Sequence, residues 1–146
     1  MEKEFVTYEL ASRMKALGFS EVCFTYFIDG FIQPALNPKD YTYFNEMSEI
    51  NKNMLNYLYV LAPTWQSAFD WFGDKYQLYP SIVVDHTSYP KYAFEISKFI
   101  GNPKDLTEKE WYWDDMILSP NLYRTTIEAK MFCLAELLSI AEKKEL

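Results

Sequence analysis

"YPSIVVDHTSYPKYAFEISKF", residues 79–99, is the stretch on which the fold turns. Ile82 and Val84 on its first arm, and Tyr92, Phe94 and Ile96 on its second, recur at every second residue. That is the period of a strand with one buried face. Between the arms, the Ser88 to Lys91 segment with Pro90 supplies a turn. The stretch therefore reads as a β-hairpin.

The segment just upstream, "APTWQSAFDWFGDKY" at 62–76, changes period. At about 100° per residue, Trp65, Phe69, Phe72 and Tyr76 fall in one narrow sector with Ala68 beside them. Gln66, Asp70 and Asp74 lie on other sides, and Thr64 offers a hydroxyl to the free amides of the first turn. This is a helix with a buried stripe. Trp71 sits about a third of a revolution away from it, toward Lys75 and Ser67, so it meets a second surface or water.

A first helix is expected over 7–18, with Leu10, Met14 and Leu17 on one face, Thr7 at its start and Gly18 at its end. "EVCFTYFI" and "FIQPAL" then flank Asp29-Gly30, a dipeptide suited to a type I′ turn, and form another hairpin that Pro34 ends or places at an edge. Residues 37–61 lack a period until "LNYLYVLA" and read as a loop with a helical turn, then a short strand. Downstream, 101–124 contains a capping box at Thr107 and Glu110, and "EWYWDDMIL" fits a short helix or a strand. The last helix is opened by a second capping box, Thr125 and Glu128, with Ile127, Met131, Leu134, Leu138 and Ala141 on one face. Cys133, Leu137 and Ile140 widen that stripe, so the helix lies deep in the domain or meets a second chain.

Helix, hairpin, helix, hairpin, helix is the order of an α+β fold rather than a doubly wound one. The expectation is a single domain over 1–146, with a four-stranded antiparallel sheet made from the two hairpins and the 64–76 and 125–144 helices packed on it. Leu10, Met14, Leu17, Phe24, Trp65, Phe69, Phe72, Ile82, Val84, Phe94, Ile96, Met131, Leu134 and Leu138 are expected in the core.

Composition excludes several functions. The 146 residues are 49% hydrophobic and 18% aromatic, ample for one core. With 14 basic against 21 acidic residues the net charge is -7, which opposes direct binding to phosphate backbones. The start "MEKEFVTYEL" has no signal-peptide layout and no run reaches the roughly 20 apolar residues of a membrane span, so a cytoplasmic protein without membrane contact is expected. Cys23 and Cys133 sit in apolar runs and read as small buried thiols, with a lone disulfide as the alternative.

Catalytic chemistry has little to work with. His86 is the single histidine, there is no C-x-x-C pair, and the four glycines are scattered, so neither a metal site, a cofactor nor a phosphate-cradling loop is expected. His86 follows Val84 at strand spacing and so points toward the core side near the strand end. A small hydrolase or ligand-binding enzyme would need it in a cleft, beside Asp85, Asp114, Asp115 or a cysteine. Asp114 and Asp115 are adjacent and so diverge on either a helix or a strand, which makes a solvated acidic turn the better reading.

Aromatics are the unusual feature: Tyr 12, Phe 11 and Trp 4. Most belong in a core. Those out of phase, Trp71 together with Trp111, Tyr112 and Trp113, are the candidate partner-binding residues, for a protein partner or a homodimer.

"FVTYELASRMKALGF", "APTWQSAFDWFGDKYQLY" and "TTIEAKMFCLAELLSIAEKK" together resemble a group of small uncharacterised proteins of Bacteroides-type bacteria and their prophages. With the cysteine-containing aromatic strand that follows the first of them, the matching segments cover about half of the chain, while 37–61 and 101–124 depart from the pattern. The resemblance implies a cytoplasmic accessory protein of phage or mobile-element origin. It carries over no functional residue.

Overall fold

The structure is a computed structural model and describes residues 2–21, 23–33, 59–87, 91–100, 112–113 and 116–146. The loop expected over most of 37–61, the tip of the second hairpin at 88–90, the Thr107 and Glu110 box, and Asp114 and Asp115 lie outside the described residues. The chain divides into two compact units, Met1–Ser67 and Ala68–Leu146.

In the first unit a short 3-10 turn, Glu2–Glu4, precedes helix α1, Tyr8–Ala16. Thr7 takes the N-cap backbone conformation without a side-chain cap bond, and Gly18 closes the helix at φ 91°. Strands β1, Thr25–Ile28, and β2, Phe31–Ile32, form the expected hairpin. Asp29 and Gly30 both have positive φ, 50° and 82°, as a type I′ turn requires. Strand β3, Tyr59–Ala62, pairs with the other edge of β1 in four antiparallel rungs, from Thr25↔Ala62 to Ile28↔Tyr59. The sheet is thus three-stranded, β2-β1-β3, with α1 packed against β3.

Helix α2, Trp65–Tyr76, starts where Thr64 Oγ1 accepts from the Ser67 amide at 3.2 Å. The division between units falls inside it. Its stripe is as read, with Trp65, Phe69, Phe72 and Tyr76 all buried. The helix ends on Gln77, a non-glycine residue in the left-handed region at φ 58°, whose N–H donates to Gly73 O at 3.0 Å. Phe99 N–H donates in turn to Gln77 O at 3.0 Å, which anchors this cap to the second sheet.

That sheet contains β4, Leu78–Asp85, β5, Lys91–Ile100, β6, Tyr112–Trp113, and β7, Ile117–Leu118. β4 and β5 form the second expected hairpin in eight antiparallel rungs, Leu78↔Lys98 to Asp85↔Lys91, and β6 and β7 both pair with β5 on its other edge. Helix α3, Thr126–Glu145, packs on β5 and β4. Its capping box is formed at Thr125, whose Oγ1 accepts from the Glu128 amide at 3.1 Å. In the widened stripe Cys133 and Leu137 are at 0% exposure and Ile140 is half-buried.

The α+β class and antiparallel pairing therefore hold, but a single four-stranded sheet from two hairpins does not. β1 pairs with β2 and β3, while β4, β6 and β7 pair with β5, and among the described residues no strand of one sheet pairs with the other. Two core assignments also fail. Phe24 is 58% exposed because the buried face of β1 carries Cys23, Thr25 and Phe27, one residue out of phase. Thr25 tolerates burial since its hydroxyl donates to Gln33 O at 2.7 Å. Val84 has the phase of Phe94 but is 43% exposed near the turn end of the hairpin. Leu17, Ile82 and Met131 are half-buried.

Candidate functional site

Of the expected binding aromatics, Trp71 is the one whose side chain lies among the described residues. Trp71 is only 7% exposed, which removes it as an exposed contact residue. Its indole lies edge-on to Phe72 at 5.0 Å and to Tyr76 at 5.6 Å, with Lys75 Nζ 5.0 Å from the ring centroid. Tyr112 and Trp113 are described as the backbone of β6, paired with Ile100 and Phe99. Trp111 lies outside the described residues.

Tyr8, Tyr79 and Phe132 are exposed among the described residues, and the first hairpin groups two more exposed aromatics, Phe24 and Phe31, on one face. Antiparallel pairing sets Ile28 directly opposite Phe31, and alternation along β1 places Phe24 and Tyr26 on the same side as Ile28. Phe31 is 74% exposed, Phe24 58% and Ile28 36%. The opposite side is the packed one, where Phe27 meets Tyr8 of α1 edge-on at 5.6 Å. Reading Phe24 inward hid this surface, and the alternation of Cys23, Thr25 and Phe27 was the signal for it.

A second feature lies in the second unit. Ser119 pairs with Phe94, and Tyr123 pairs with Tyr92 through N–H to O distances of 2.8 and 2.7 Å. Pro120, Asn121 and Leu122 therefore stand against the single Ala93 as a bulge. Pro120 has no N–H for a ladder. The Ser119 hydroxyl ties the bulge to β5, accepting from the Phe94 amide at 3.2 Å and donating to Asn121 O at 3.0 Å. An open groove of about 450 Å³ lies between this bulge and the end of β4, lined among others by Asp85, His86, Glu95 and Leu118.

His86 is exposed just past β4, not on the core side as its spacing implied, because the strand ends at Asp85. Asp85 Oδ1 accepts from the Thr87 amide at 2.9 Å. This amide, then the Thr87 side chain, Lys91 and His86, hold the Asp85 carboxyl below the usual carboxylate range. Its lone pairs serve a turn. Both cysteines are free and buried. Burial first, then Glu21, pushes the Cys23 thiol up to about 12, and burial with Glu136 does the same to Cys133. A thiol so protonated at neutral pH is a poor nucleophile.

Among the described residues no group of three His, Cys, Asp or Glu side chains could hold a metal ion. None of the described helices is long and apolar enough to cross a membrane. Comparison with protein-family models, curated proteins and solved structures matches none of them.

Proposed function

We infer that this is a non-enzymatic accessory protein that binds a protein partner through the outward face of its first hairpin. The observation that carries the reading is the row of Phe24, Ile28 and Phe31, all exposed on one side of a small sheet whose other side is packed. Exposed aromatic and aliphatic side chains grouped on a rigid element are what partner surfaces use. Phe31 extends from a tight two-residue turn, so its position is set before any partner arrives. Little ordering is then needed on binding. An origin in a phage or mobile element belongs to the same proposal and rests on the resemblance of the 5–19, 62–79 and 125–144 segments. So does a cytoplasmic location.

The enzyme reading has weaker support, since His86 and Asp85 share a groove but the carboxylate is held by Thr87 and neither cysteine is presented as a thiolate. The test is co-purification from the cells that make the protein, comparing the natural chain with Phe31→Asp. Proteins retained by the first and lost from the second are expected. Identical sets from both would contradict the reading.

A further inference from the structure

The groove of the second unit differs in chemistry from the hairpin face. Its floor comes from the outward side of the sheet, where Val83 is opposite Ala93 and Glu95 is opposite Leu118, so these four side chains share one face. Phe94 is buried on the other face, toward α3, stacked on Tyr123 at 6.2 Å, and Tyr123 stacks on Phe132 of α3 at 4.8 Å. Two apolar side chains stand exposed around the groove, Leu118 and Leu122, at 60% and 46%. Its two carboxylates are Asp85 and Glu95, and no lysine or arginine lines it among the described residues. Lys91 opposes Asp85 in register and offsets part of its charge, which leaves Glu95 as the principal anchor for a cation.

We propose that this groove docks a short extended segment of a partner protein in which a lysine or arginine alternates with apolar side chains. Apolar walls around a carboxylate suit such a segment, and the net charge of -7 favours its approach. The groove is open along the bulge, so it accepts a passing chain rather than enclosing a small molecule. A β-bulge is a frequent device for re-aiming side chains at such places. This site is separate from the hairpin face, and its failure would leave that reading intact.

The test uses the full chain and a fluorescein-labelled peptide of alternating lysine and leucine, with a glutamate and leucine counterpart, followed by anisotropy. Saturable binding of the lysine peptide alone is expected. Glu95→Lys should weaken it at least about tenfold by placing like charges together. Asp74→Lys, the same charge change at an exposed position on α2, beyond the far end of β4 from Asp85, should alter it less than about twofold, as expected for screened, distant charge. Leu122→Ser should weaken binding without any charge change, and Phe31→Asp should leave it unaltered. If Glu95→Lys loses its native circular dichroism, Glu95→Gln replaces it. Absence of saturable binding, or equal losses from Glu95→Lys and Asp74→Lys, would overturn the proposal.

Discussion

Trp71 illustrates how a residue outside its helix's main stripe is still absorbed by the core. Its ring is edge-on to Phe72 and Tyr76 and is almost wholly buried. Removing an indole from such a place leaves a cavity that neighbours fill only in part. Trp71→Ala should therefore cost ~3–5 kcal/mol in denaturant unfolding. A change within about 1 kcal/mol, typical of surface positions, would return Trp71 to the surface. Cys23 and Cys133 offer a second check at this scale. With both thiols buried and pushed up to about 12, neither should react with a thiol reagent at neutral pH until the chain is denatured. Rapid labelling of either in the native protein would contradict their placement.

Among the elements, the β1–β2 turn isolates a backbone effect. Gly30 has φ 82°, but a Cβ there would meet only Tyr8 ring carbons at 3.8 Å or more, which is ordinary contact. Gly30→Ala should then lose only the left-handed penalty, roughly 1–2 kcal/mol, measured by thermal or denaturant unfolding. A larger loss would mean a clash that this geometry lacks. Asp29-Gly30, Thr64 and Thr125 were legible in the sequence because turn and cap chemistry is decided within a few residues. The pairing of β1 was not. Which strand fills its second edge depends on β3, more than thirty residues away, and its inward phase is concealed by a polar Thr25 inside and an aromatic Phe24 outside. Gln77 was equally illegible, since a non-glycine left-handed cap carries no local mark. Of the candidate site, the aromatic surplus was visible, but its exposed members were assigned to Trp71 and the 111–113 run rather than to the hairpin.

For the whole molecule, two antiparallel sheets replace the one expected, and most of the aromatic surplus in the described residues serves packing, as Trp65, Phe69, Trp71, Phe72 and Tyr76 on one helix show. Phe31, at 74%, is the most exposed aromatic among the described residues, and it shares one face of its hairpin with Phe24 and Ile28. The most direct measurement is photo-crosslinking in the producing cells, with a benzophenone amino acid placed at position 31 or, as a control, at the exposed position 136 on α3. The interaction reading predicts a discrete protein adduct from position 31 and none of that mass from position 136. No adduct from position 31, or the same adducts from both, would contradict it.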